Sequence, residues 1–248
     1  MTKPSYPATL AATSLTAGIV ACWPLNEGAG TTAADIVGGG VLACGGAGVS
    51  WSASPVGLLT VGSPSSATLA TPGYLKLQPP LTLLWVGQVL GTVAQLGGFG
   101  GVAEVAASLN DYVICPYGGD VAYSYNVAGS GTGTVSGVAV APGEFNLVMR
   151  LGNPQDGGES GAWMTGWSGG NNETNSLTPI ASIGYGGTSQ VFLGTFPGST
   201  ATTDVRHDLL VAWDRLLLAS EIAALAADPY QILAAPSAGA TGAALLMM

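Results

Sequence analysis

The chain has 248 residues, of which 48% are hydrophobic and only 8% charged, against roughly 25% charged in an ordinary soluble domain. Its net charge is −9, and its five basic residues, Lys3, Lys76, Arg150, Arg206 and Arg215, are scattered singly. A nucleic-acid binder needs a clustered basic face, so nucleic acid is excluded as a partner.

The mean hydropathy is +0.44, yet no apolar run approaches the roughly 20 residues that span a bilayer. No membrane association is therefore expected. The surplus of apolar surface points to contacts with other chains, in an obligate and homo-oligomeric assembly. A chain of this length can be one sandwich or barrel with a large core.

Residues 1–16 read as an N-terminal arm with two prolines and no period. Pro and Thr break its apolar residues, so no signal peptide is expected and the chain should stay in the compartment where it is made. Cys22, Cys44 and Cys115 are odd in number and lack C-x-x-C spacing. They read as small buried hydrophobes, neither a disulfide framework nor a zinc site.

Three segments alternate with period two, the mark of half-buried strands. "LTLLWVGQV" sets Leu81, Leu83, Trp85 and Val89 against Thr82, Leu84, Val86 and Gln88. "DVAYSYNV" groups Val121, Tyr123 and Tyr125, and "EFNLVMRL" groups Phe145, Leu147, Met149 and Leu151. Turn clusters separate such runs, among them "NPQDGGESG", "GGNNETN" and "FPGST". Short strands, frequent turns and no intervening helix predict an all-β antiparallel sandwich or jelly roll.

The end of the chain differs. "DVRHDLLVAWD" reads as a strand with Leu209, Val211 and Trp213 on one face. "RLLLA" connects it to a helix over Glu221–Ala227, with Ser220 as the expected N-cap and Glu221 at the positive end. Ile222, Leu225 and Ala226 form the apolar stripe, and Pro229 ends the helix. Two turns are unstable alone, so Ile222 and Leu225 must dock it.

These features resemble the concanavalin A-like (laminin-G-like) jelly-roll family. "GIVACWPLNEGAGTTAADIVGGG" is similar to that family's opening: a strand ending in Trp23, a turn carrying Glu27, Gly28 and Gly30, then Asp35 before a Gly-rich turn. "PLTLLWVGQV" is similar to its central strand, and "WDRLLLASEIAAL" to its closing strand and helix. The family's usual G-x-I-D-E before the closing strand is here "DVRHDLLVA".

The resemblance implies a jelly-roll domain over residues 17–233, with 234–248 as an apolar C-terminal tail. Trp23, Glu27, Asp35, Trp213, Ile222 and Leu225 are then structural, the two carboxylates satisfying backbone N–H groups in tight turns. Calcium binding is known in parts of the family and needs six to eight oxygen ligands. Asp156, Glu159 and Glu173 are weak candidates; solvated turns are the favoured reading, and no cofactor is expected.

Two catalytic patterns are decoys. "GWSGG", Gly166–Gly170, matches a nucleophile elbow, which requires a strand before it and a helix after it. Here "NNETN" follows, read as a loop. The single histidine, His207, has Asp208 beside it in sequence but on the opposite face of a strand. A glycosidase would need a spaced carboxylate pair, and no E-x-D-x-x-E-like run is present. No enzymatic activity is expected.

Two functions remain. The first is a structural virion protein of a tailed bacteriophage, made in the host cytoplasm: a capsid decoration (cement) protein, or a tail or fibre component. Its partners would be the major capsid or tail protein, and the uncharged tail ending in Leu245, Leu246, Met247 and Met248 would make a subunit contact. The alternative is a lectin-like module for host surface glycans, with Trp163 and Trp167 beside Asn171 and Asn172 as the candidate sugar site. The two can coexist.

Overall fold

The computed structural model describes residues 3–62, 66–70, 73–91, 100–104, 109–117, 120–127, 131–139, 142–152, 161–168, 171–176, 183, 185, 189–195 and 203–235. It is an all-β antiparallel jelly-roll sandwich with one α-helix near the C-terminus.

The first sheet runs in the order Asn171–Ser176, Gly161–Ser168, Gly143–Gly152, Leu81–Val89, Val205–Trp213, Val56–Thr60, Val49–Ala53. The second runs Gly131–Ala139, Asp120–Val127, Leu109–Tyr117, Gly100–Glu104, Ser189–Gly194, Ser66–Ala70, Val41–Ala43, Thr32–Ala34.

Strand Val205–Trp213 is the hub of the first sheet. One edge pairs with Leu81–Val89 along its length. The other is shared: residues 205–207 pair with Val56–Thr60, and residues 210–213 with Ile19–Trp23. The opening and closing motifs of the sequence are therefore hydrogen-bonded neighbours.

Alternation sorts the first sheet's side chains between two layers. Phe145, Leu147, Met149 and Leu151 join Leu81, Leu83 and Trp85 in the interior, where Leu42, Val191 and Leu193 of the second sheet meet them. Leu84, Val86, Val148, Leu209, Val211 and Trp213 face the other way, into a second apolar layer. All nine residues of Val205–Trp213 are buried, because both faces of this strand are covered.

The outer layer is closed by the ends of the chain. Leu15 comes from the N-terminal segment; Ile222 and Leu225 come from the helix; Ile232 follows it. Trp213 Nε1 donates to the Leu15 carbonyl at 2.8 Å. Thr9–Leu10 pairs with Leu233–Ala234, so residues of the expected arm lie against the last described strand.

The helix spans Ala219–Ala227, and its N-cap is Leu218 where Ser220 was expected. Leu218 has no side-chain acceptor to offer. Glu221 instead reaches back to accept the Leu218 N–H at 2.7 Å and two hydrogen bonds from Arg215 at 2.8 Å each. This clamp starts the helix one residue before Ser220. Asp228 is the C-cap, and Pro229 begins a 3-10 turn through Ile232.

A second difference concerns "GGNNETN", read above as a loop. Asn171–Ser176 is a strand at the edge of the first sheet, paired with Gly161–Ser168. Ser168 opposes Asn171, so only Gly169 and Gly170 join them. Gly-Gly between two strands is a two-residue hairpin signal, and the polar composition suits a strand at an edge.

Candidate functional site

Strict alternation along "VRHDLLVAW" would put His207 on the face of Leu209. A β-bulge between His207 and Leu209 changes the phase. His207 opposes Gly87 and turns inward, while Leu209 opposes Val86 on the outer face. Asp208 is the extra residue and points outward beside Arg206.

Inside, His207 is fully buried. Its Nδ1 accepts from Trp85 Nε1 at 3.0 Å, and Nε2 lies 2.9 Å from the Thr60 hydroxyl. Since the indole only donates, Nδ1 must be bare and Nε2 carries the proton. Burial holds the imidazole pKa down to about 3. The ring meets Trp85 edge-on at a centroid distance of 5.9 Å.

Outside, Arg206 Nε donates to Asp208 Oδ1 at 2.9 Å and Nη2 to Oδ2 at 2.9 Å. Nη1 donates to Gln88 Oε1 at 2.6 Å, and Glu144 lies 3.7 Å away. Burial opposes the Arg206 charge, but hydrogen bonds and charge attraction from Asp208 outweigh it and raise the pKa. Gly57 lets the pair lie against its strand, since a Cβ there would meet Asp208 Oδ1 at 2.5 Å.

This ion pair forms one wall of an open cleft of about 240 Å³ on the outer face. Val86, Gly87 and Asn146 of the sheet line it together with Pro229, Tyr230, Lys3 and Pro55. Lys3 Nζ donates to the Leu25 carbonyl at 2.7 Å and the Val56 carbonyl at 3.0 Å. Burial lowers its pKa to about 8, against the pull of Asp208 and Glu27. Burial, then the Asp208 charge, raises the Tyr230 pKa, so the phenol stays protonated. The Asn146 amide and the Tyr230 hydroxyl have no hydrogen-bond partner among the described residues, which leaves both donors and acceptors facing the cleft.

The register links the cleft to residues singled out in the sequence. Leu209 opposes Val86, Val86 opposes Asn146, Asn146 opposes Trp167, and Trp167 opposes Asn172. These five positions form one cross-strand row on the outer face, with strands about 4.8 Å apart. Trp163 lies four residues back on the same face, opposite Arg150. Asn171 opposes Ser168 at the hairpin end.

The remaining candidates fall in several places. Glu173 is on the edge strand, opposite Gly166. Asp156 and Glu159 lie outside the described residues, as do Leu245, Leu246, Met247 and Met248. Among the described residues no group of three or more His, Cys, Asp or Glu could hold a metal, and no helix is long and apolar enough to cross a membrane.

Asp35 Oδ1 accepts the Cys22 N–H at 2.8 Å and the Val37 N–H at 2.9 Å, while Tyr74 donates to Oδ2. Glu27 Oε1 accepts the Ala34 N–H at 2.9 Å. Trp23 and Trp213 are buried, in the interior and the outer layer respectively. Ile222 and Leu225 pack in the outer layer. The pattern of a nucleophile elbow is not assembled: two strands separate Ser168 from His207, and a strand follows where a helix is required.

Lys3, Glu144, Asn146, Arg206, Asp208 and Tyr230 line the cleft without belonging to any motif in the sequence. One signal was available. Arg206 and Asp208 are two residues apart in a strand, the spacing that puts opposite charges on one face.

No protein-family model matches the chain, and no curated protein matches it. Solved structures do. Trypanosoma rangeli sialidase in complex with sialic acid is similar at 16% identity and a TM-score of 0.60, over 88% of this chain and 34% of that one. The binding domain of botulinum neurotoxin serotype G is similar at 12% identity and a TM-score of 0.59, over 84% of this chain and 50% of that one. The binding domain of Paraclostridial Mosquitocidal Protein 1 gives 12% identity and a TM-score of 0.61, over 86% of this chain and 52% of that one. The chain thus spans a third to a half of these proteins, and what it shares with them is the β-sandwich fold.

Proposed function

We propose that the chain is a non-enzymatic binding module that holds a glycan on the outer face of its first sheet. The observation that carries this reading is the cross-strand row. In register, the cleft positions Val86 and Asn146 are followed on the next two strands by the positions of Trp167 and Asn172. Sugar recognition needs an apolar ring face beside hydrogen-bonding groups, and the residue types at these positions, Trp167 beside Asn146 and Asn172, are of both kinds. The similar structures support the reading by kind: two are binding domains, and one enzyme is seen with sialic acid. The inward-facing, neutral His207, with both ring nitrogens engaged by Trp85 and Thr60, supports a binding role over hydrolysis.

The test is a glycan array probed with the full chain, followed by titration of the variants. Trp167→Ala and Asn146→Ala should each weaken the bound glycan about tenfold, equivalent to about 1.4 kcal/mol. Binding indifferent to both substitutions sinks the proposal.

The setting we propose is the virion of a tailed bacteriophage, as a capsid decoration protein or a tail or fibre component. The 8% charge content and the uncharged residues 234–248 favour this assembly role. Deleting Ala240–Met248 should weaken particle binding or self-association while leaving the melting temperature nearly unchanged. Unaltered occupancy on particles and unaltered sedimentation would remove the tail from the account.

A further inference from the structure

A second cleft, of about 420 Å³, adjoins the first and shares Lys3 and Pro55 with it. Its walls are the N-terminal segment at Pro4–Tyr6, Asn26, and the hairpin turn around Ser54. Tyr6 stands at the rim and is 55% exposed, the most exposed aromatic side chain among residues whose burial is described. A tyrosine ring at a cleft rim offers an apolar face and a polar hydroxyl together, which suits it to stack on a sugar ring.

The wall between the clefts is built and held. Leu25 has a φ of 51°, the one positive value among described non-glycine residues. Its carbonyl is thereby offered to the Lys3 ammonium. Asn26 is buried and donates to the Pro4 carbonyl at 3.0 Å. An αL conformation in a bulky residue costs energy and persists only where its surroundings enforce it. Three hydrogen bonds, from Lys3 to the Leu25 and Val56 carbonyls and from Asn26 to the Pro4 carbonyl, thus pin the N-terminal segment over the sandwich and place Lys3 at the junction. An ammonium has three donors; two serve the Leu25 and Val56 carbonyls, which leaves one at the saddle where the clefts meet.

The charges around that junction balance. Lys3 and Arg206 are cationic; Asp208 and Glu144 are anionic. With the charges balanced, an acidic ligand gains no net attraction, whereas a neutral polar ligand finds donors and acceptors together on one wall. Size gives the second constraint. The smaller cleft alone falls below the roughly 300–1,000 Å³ of small-molecule sites; the larger falls inside that range, and the two joined remain inside it with room for more than one sugar unit.

From these observations we infer that the two clefts form one groove for a neutral linear oligosaccharide. One unit lies by Asn146 and Tyr230, Lys3 donates to the chain where it crosses the saddle, and a further unit stacks on Tyr6. The inference rests on the glycan-binding reading and adds to it the ligand's charge, its length and a second aromatic contact.

The experiment uses the full chain on an array of neutral and acidic glycans, then calorimetry on the bound glycan shortened stepwise to one unit. We expect neutral chains to bind and affinity to rise with length. Tyr6→Ala should cost about five- to tenfold on the longest glycan and leave the single unit unchanged. Ala53→Trp, which fills the second cleft, should do the same and serves if Tyr6→Ala fails to fold. Preference for acidic glycans, affinity independent of length, or indifference to both variants overturns the groove. If binding remains sensitive to Trp167→Ala in those cases, only this inference fails. If no glycan binds, the proposed function fails with it.

Discussion

At the Trp213 end of strand Val205–Trp213, the outer face of the first sheet is sealed by side chains; at the Arg206 end the same face opens as a polar cleft. Leu209, Val211 and Trp213 are covered by Leu15, Ile222, Leu225 and Ile232. Arg206 and Asp208, on the same strand and face, are covered only by each other, Gln88 and the walls of the cleft. The helix is nine residues long, and the stripe it contributes is matched to the apolar half. Apolar burial is non-directional and rewards any close cover. A guanidinium and a carboxylate need specific partners and access to water. One face thus carries a structural half and a half available to a ligand.

Four measurements would break or sharpen that contrast. The largest expected effect lies in the sealed half. Leu225→Ala removes a fully buried side chain and should cost about 2–5 kcal/mol in denaturant melts. A loss of a few tenths would mean the helix does not hold the sheet.

Next comes the cleft. Asp208→Ala leaves Arg206, 6% exposed, without its main partner. We expect a loss of about 3 kcal/mol, near the low end for a broken buried pair because Gln88 and Glu144 remain. Adding Arg206→Leu should recover part of that loss. A fully additive double variant would show that the pair is not coupled.

The third measurement is stability against pH. His207 is neutral when folded, with a pKa of about 3, against about 6.5 unfolded. Below pH 6.5 the unfolded chain binds a proton that the folded chain refuses. Stability is therefore full above pH 6.5 and falls as pH drops towards 3, by up to about 1.4 kcal/mol per pH unit. His207→Gln should flatten that slope, and an unchanged slope assigns it to other groups.

The smallest effect is at the helix start. Leu218 is 65% exposed and caps the helix without a side-chain acceptor. Leu218→Ser should add about 1 kcal/mol. No gain in thermal melts would show that Glu221 and Arg215 already satisfy this end.

Much of the architecture was legible because strands repeat every two residues. The alternation in "EFNLVMRL" and "LTLLWVGQV" identified the interior positions Phe145, Leu147, Leu83 and Trp85, and the stripe Ile222 and Leu225 implied a docked helix. The edge hairpin was legible in principle, through Gly169-Gly170, but its polar strand carries no apolar alternation to announce it. The cleft was mostly hidden. Lys3 meets Leu25 and Val56, 22 and 53 residues away, and no local pattern encodes such contacts.

The amino-acid order by itself determined the apolar, alternating strands and the need for a covered helix, since these follow from periodicity and burial along short stretches. Tertiary structure alone decided where the bulge falls in "VRHDLLVAW", and with it that His207 turns inward while Asp208 turns out. It also decided that Asn146 and Trp167 share a row. The reason is that register is a relation between strands: a one-residue shift sends every side chain to the other face, and only the paired neighbours in the folded sheet fix it.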